Sequence, residues 1–174
     1  PTRDLLYASG LIISGDTLHV IVAHLPSRRG GEQHSRPFRR VVAENICAIA
    51  DSVRAVSADA KIIVAGDFND YTTSESVRMV CVTGFTDVSA KAVGQNGARA
   101  TYKYRGEWRS LDHVLVSTSM MSAVRSCRVH DARFLLVEDE KYGGVQPRRN
   151  YLGPRWRDGF SDHLPLVAEF ALDE

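Results

Sequence analysis

Cysteine is scarce in this 174-residue chain: Cys47, Cys81 and Cys127 are three in number, widely spaced and set among apolar neighbours. An odd count argues against a disulfide framework, and no Cys-x-x-Cys spacing offers a zinc site. Buried free thiols are the expected state of all three, which leans toward a reducing compartment such as the cytoplasm. No run comes near the roughly 18 apolar residues of a membrane span, and no signal peptide is visible. An excess of either charge is missing as well. Lys plus Arg number 22 against 21 Asp plus Glu, for a net charge of +1, so no global field draws the chain to polyanions. There is no glycine-rich P-loop, no His-Glu-x-x-His helix and no Gly-x-Ser-x-Gly elbow, which sets those chemistries aside.

What is present is ordinary globular composition, 44% apolar and 25% charged, in a length that fits one domain with its own core. The chain opens on Pro1 rather than Met, as a processed, trimmed or truncated product would. Residues 8–14 and 17–25 read as strands joined at Ser14-Gly15-Asp16, and the second, apolar on both parities, reads as central and covered on two faces. A helix is expected over 36–57, with Pro37 in its first turn and Phe38, Val42, Ile46, Ile49, Val53 and Val56 as its apolar stripe. A short buried strand at 61–65 leads to a second helix at 74–82, capped by Thr72 or Thr73. A hairpin over 101–104 and 108–116, strands at 126–130 and 134–137, and a closing strand at 165–172 complete the pattern. Between them, residues 138–160 show no periodicity, and loops of that length are functional or disordered. Strands interspersed with two helices imply a mixed α/β fold with helices outside.

Chemistry concentrates in four short strings at strand ends: His24-Leu25-Pro26-Ser27, Gly66-Asp67-Phe68-Asn69, Leu111-Asp112-His113 and Ser161-Asp162-His163-Leu164-Pro165. In extended backbone Asp67 and Asn69 share a side and reach one site, although an Asx turn after a strand is the bland alternative. Asp162 and His163, being adjacent, point to opposite sides and suit two jobs. Asp112 and His113 also oppose each other, so only one of them faces a site on that strand. Two arginine clusters, one of Arg28, Arg29, Arg36, Arg39 and Arg40 and one of Arg148, Arg149, Arg155 and Arg157, either meet phosphate locally or form a solvated surface. His19 and His130 read as structural. Arg28, Arg29 and His34 follow His24, and Arg149, Tyr151 and Trp156 precede Asp162. An arginine there suits phosphate and an aromatic suits stacking on a ring.

In this order the four strings resemble the endonuclease/exonuclease/phosphatase family, whose members cleave phosphate esters. The resemblance implies a DNase I-like four-layer sandwich, two packed mixed β-sheets flanked by helices. It implies catalytic His24, Asp67, Asn69, Asp112 and His163: Asp67 orienting water, Asn69 donating to a phosphoryl oxygen, Asp112 holding His163, and His24 contacting the scissile phosphate. It picks Asp112, not His113, as the partner of His163. Arg28, Arg29, Arg149 and Tyr151 are the implied substrate contacts. Asp67, Asn69 and Asp162 are the implied ligands of Mg2+ or Mn2+, whose preference is for hard oxygen donors. The family pattern also has an Asn-bearing strand and a metal-binding Glu that would lie before Pro1, so the domain is expected to be N-terminally incomplete. Such a domain leaves a sheet edge or apolar face for a missing segment or partner chain. The expected activity is metal-dependent phosphoester hydrolysis. The alternatives are a catalytically incomplete fragment and a non-enzymatic module that binds phosphate or nucleic acid.

Overall fold

Strand-forming runs alternating with one long amphipathic stretch build a layered α/β structure, and the computed structural model describes residues 2–172. β1 (Leu6–Leu11) and β2 (Thr17–His24) form an antiparallel hairpin, and β3 (Lys61–Asp67) runs parallel to β2. β7 (Asp112–Ser117) lies antiparallel to β3, and β4 (Phe85–Asp87) closes the sheet in the order β1-β2-β3-β7-β4. The short strand β4, with only three residues, has no sequence periodicity to announce it.

Two helices, α1 (Glu32–Val56) and α2 (Glu75–Val82), cover one face. Ile21, Ile62, Val64 and Leu115 from the strands meet Val42, Ile46 and Ala50 of α1 and Val77 and Val80 of α2, all fully buried. Each large aliphatic side chain removed from water in this way contributes about 1.5–3 kcal/mol. α1 begins a turn earlier than its stripe suggests. Pro37 therefore lies inside the helix rather than in its first turn, at the cost of one backbone hydrogen bond. α2 starts after Ser74, not after Thr72 or Thr73.

The opposite face receives a two-stranded antiparallel sheet, β8 (Val124–Val129) with β13 (Leu166–Phe170). Ile63, Ala65, Val114 and Val116 pack there against Val124, Leu166, Ala168 and Phe170. Two sheets thus meet face to face, with both α-helices on the outer face of the five-stranded one. The covering is partial. It reaches Leu18 of β2 but leaves Val22 42% and Leu6 63% exposed on the same face. The expected double covering of β2 is complete only on its helix side.

The expected long strand at 108–116 breaks in two. Leu111 gives its carbonyl to the Phe68 N–H at 2.9 Å, so β6 (Glu107–Arg109) pairs with β5 (Tyr102–Tyr104) while β7 joins the main sheet. Residues 138–160 are not structureless either: β9 (Leu136–Glu138) pairs with β10 (Val145–Pro147), and β11 (Tyr151–Leu152) with β12 (Arg155–Trp156). No described helix is long and apolar enough to cross a membrane.

Candidate active site

Three adjacent strands end in one row of polar side chains. His24 of β2 is in register with Asp67 of β3, and Asp67 with Asp112 of β7. All three have the strand parity opposite to Ile21, Ile62, Val64 and Leu115, which fill the helix-side core, so they face away from the helices. Gly66 makes the close strand approach possible: its φ is +141°, and a Cβ there would be driven into the Ala23 carbonyl.

Just beyond Asp67 the chain bends back rather than continuing extended. Asn69 adopts φ +50°, and its N–H donates to Asp67 Oδ1 at 2.8 Å. The Asn69 amide nitrogen donates to the Leu25 carbonyl at 2.9 Å and to Asp67 Oδ2 at 3.1 Å. An Asx turn, not extended i, i+2 spacing, therefore brings the two together. With its N–H groups committed, Asn69 retains its carbonyl oxygen rather than a donor to offer a bound group.

His163 arrives from the segment before β13. That segment is seated by an isolated bridge between His163 and Tyr102 and by the Leu164 N–H on the Thr101 carbonyl at 2.7 Å. His163 Nδ1 lies 2.7 Å from Asp112 Oδ2, and the Thr101 hydroxyl donates to the same oxygen. A carboxylate only accepts, so Nδ1 carries the proton and Nε2 is turned free. Burial works to lower the His163 pKa, but the Asp112 bond and charge outweigh it and raise the value above that of an ordinary histidine. Burial, and then the Asp112 charge, push the Asp67 carboxyl up. His24 stands at the rim, its side chain 54% exposed and its Nε2 3.4 Å from Asp67 Oδ2.

His113 points the other way, into the core. Its Nδ1 lies 2.8 Å from Asp87 Oδ2 and its Nε2 2.9 Å from the Asp70 carbonyl, both contacts that need a donor. Asp87, also bonded by Thr72 and Ser89, raises the His113 pKa against the lowering effect of burial.

The donor set suits a hard cation. Asp67, Asp112 and His163 offer ligand atoms within 4.8 Å of one another. Asp112 Oδ2 and His163 Nδ1 bond each other, and the Asp67 carboxylate and the Asn69 carbonyl add oxygen donors beside them. Oxygen donors of this kind fit Mg2+ or Mn2+. Asp162 is exposed on the lip of the same cleft.

The sequence model of the endonuclease/exonuclease/phosphatase family matches residues 1–171. The chain belongs to this family. Among solved structures it is similar to a Staphylococcus aureus beta toxin variant with bound magnesium ions, at 20% identity and a TM-score of 0.61, covering 95% of this chain and 57% of that one. It is similar to sphingomyelinase C from Streptomyces griseocarneus, at 18% identity and a TM-score of 0.60, covering 94% and 56%. A Bacteroides thetaiotaomicron mannosyl-6-phosphatase aligns at 18% identity and a TM-score of 0.56, covering 91% and 52%. The fold is therefore DNase I-like, and the chain spans little more than half the length of these structures. No curated protein sequence matches it significantly.

In this family member a cleft of about 840 Å³ gathers His24, Arg28, Arg29, Asp67, Asn69, Asp112, Asp162 and His163. Arg149 and Tyr151 are not on its wall. Arg149 donates to the Lys103 carbonyl and lies over the Tyr102 ring, while Tyr151 packs edge-on against Trp156 in the β11–β12 hairpin. The first arginine cluster disperses: Arg36 and Arg40 pair with Glu75 and Glu44 on the surface, and Arg39 is buried on Asp70. Sequence reading passed over Tyr102, Tyr104 and Arg109, which also line the cleft. The Tyr-x-Tyr alternation of a strand leading toward Asp112 was the available signal.

Proposed function

We propose that this chain carries the hydrolytic site of a divalent-metal-dependent phosphoesterase. The observation behind it is the His24–Asp67–Asp112 row across β2, β3 and β7, with His163 hydrogen-bonded to Asp112. Asp112 fixes the imidazole so that Nε2 takes a proton from water, which then attacks phosphorus. Asp67, beside that ring, orients the water. His24, at the open rim, contacts the scissile phosphate. Asp67, the Asn69 carbonyl and Asp162 would hold Mg2+ or Mn2+, and the ion when bound supplies positive charge to offset the phosphoryl oxygens. Arg28 and Arg29 face the same cleft and suit the remaining phosphate oxygens.

Hydrolysis of bis(p-nitrophenyl) phosphate is the test, run with magnesium, with manganese and with chelator. Metal-dependent turnover that falls by about 100-fold or more in Asp67→Asn and in His163→Ala is the expected result. Near-normal rates in both variants would refute the assignment. No turnover from folded protein in any metal would mean that these 174 residues do not suffice, and would favour a catalytically incomplete piece or a phosphate-binding module.

A further inference from the structure

The β5–β6 hairpin reverses the usual sorting of side chains. On β5, Tyr102 and Tyr104 share one face and Lys103 takes the other. A strand at a protein surface ordinarily buries its tyrosines and exposes its lysine. Here Lys103 is buried, 2.7 Å from Asp139 and donating to the carbonyls of Gly143 and Val145. Both tyrosines are turned to the catalytic cleft. The hairpin is held from behind by further contacts: Gly106 sits against the Tyr142 ring, and Arg149 is bonded to the Lys103 carbonyl and laid over Tyr102. These contacts hold the wall in place without a ligand, which reduces the entropy cost of using it.

The wall continues from the catalytic imidazole. His163 and Tyr102 ring centroids are 4.8 Å apart, and Tyr102 and Tyr104 lie 6.5 Å apart and nearly parallel at 11°. The guanidinium of Arg109 is 5.0 Å from the Tyr104 ring centre, and both residues line the cleft. Tyr104 stays 40% exposed. A phosphate held at the row of His24, Asp67 and Asp112 would place whatever it esterifies beside these flat faces.

We propose that Tyr102, Tyr104 and Arg109 form the subsite for a planar aromatic ring carried by the substrate, so that nucleotide-like phosphate esters are preferred over aliphatic ones. This rests on the phosphoesterase reading of the cleft. The ring stacks on Tyr104, Arg109 fixes it through cation–π and hydrogen-bonding contact, and Arg28 and Arg29 line the same cleft. Aliphatic esters with neither a flat ring nor a cationic group gain little from such a surface.

Calorimetric titration of this chain with adenosine monophosphate and with ribose phosphate, in the presence of magnesium, isolates the ring. Phosphate release measured in parallel reports separately on hydrolysis. Adenosine monophosphate should bind about five-fold or more tighter than ribose phosphate. That advantage should vanish in Tyr104→Ala and survive in Tyr104→Trp. Equal affinities in the wild type, an advantage that persists in Tyr104→Ala, or no binding of either probe would overturn the subsite. A preserved affinity ratio without any metal-dependent hydrolysis would instead leave the subsite standing and count against the phosphoesterase reading.

Discussion

Arg39 offers the sharpest test of how the fold positions the cleft. It rises from α1 into the interior with 1% of its surface exposed. Its Nε donates to Asp70 Oδ2 at 2.9 Å, and its Nη1 donates to the Ser35 hydroxyl at 2.7 Å and to the Pro26 carbonyl at 3.4 Å. One guanidinium thus ties the strand end after His24 to the turn after Asp67. In Arg39→Met, Asp70 would keep the Ser76 hydroxyl at 2.7 Å and only a distant Arg28 at 3.6 Å. Removing one partner of a buried pair costs about 3–5 kcal/mol, chiefly because the other charge is left uncompensated. Urea unfolding followed by tryptophan fluorescence should show the midpoint falling by about 2 M, taking a slope of about 2 kcal/mol/M. Asp70→Asn keeps an acceptor for Ser76 without the charge, so the double variant should recover most of the loss. A cost below about 1 kcal/mol for Arg39→Met would refute the clamp. So would a double variant as unstable as the sum of the singles, since additivity means no coupling.

Three further outcomes follow from particular contacts. Asp112→Asn should lower phosphoester hydrolysis by about 100-fold or more while the protein stays folded, because the amide no longer enforces a proton on His163 Nδ1; an unchanged rate in a steady-state assay would separate Asp112 from the chemistry. Gly66→Ala should cost about 3 kcal/mol or more, given φ +141° and the Ala23 carbonyl in the path of the new Cβ, and a wild-type melting temperature would contradict this. Asp131 accepts the N–H groups of Gln95, Asn96 and Ala98 at 2.8, 2.6 and 3.1 Å, which outweigh burial and hold its carboxyl below the ordinary range. A depressed folded pKa contributes stability that is present above the unfolded value and lost as pH falls through the folded one. Asp131→Asn should therefore cost about 2 kcal/mol at neutral pH, with the gap to wild type closing below about pH 4; a gap that is constant across that range in urea titrations would rule the mechanism out.

Elements with strong periodicity were legible in the sequence, and elements defined by pairing alone were not. The stripe from Val42 to Val53 locates α1, because an amphipathic helix writes its buried face every three or four residues. Its start was misplaced because Pro37 suits a first turn, whereas the helix accepts it one turn further in. β4 and the strands β10, β11 and β12 are two or three residues long, too short for alternation to rise above chance. The division of the 108–116 stretch depends on the Leu111 carbonyl meeting the Phe68 N–H, a long-range contact that no local pattern encodes.

The same contrast explains what could be read of the site. Strand parity placed Asp112 and His113 on opposite sides, and the structure has one bonded to His163 and the other buried on Asp87. Parity misjudged Asp67 and Asn69, since the left-handed Asn69 replaces alternation with a local turn in which the side chain bonds its own backbone. Charge counting was the weakest guide. Five arginines close in sequence read equally as a phosphate patch or a solvated surface, and neighbours decide their fate: Arg39 is committed to Asp70 and Arg36 to Glu75, while Arg28, paired with Glu32, and Arg29 line the cleft. A third cation on that wall, Arg109, comes from a hairpin remote in sequence, beside tyrosines held outward by a buried Lys103–Asp139 pair. A lysine between two tyrosines reads as an exposed residue flanked by core, and only the carboxylate supplied 36 residues later by Asp139 inverts that reading. The outward set of the two tyrosines is thus fixed by an ion pair that does not itself line the cleft.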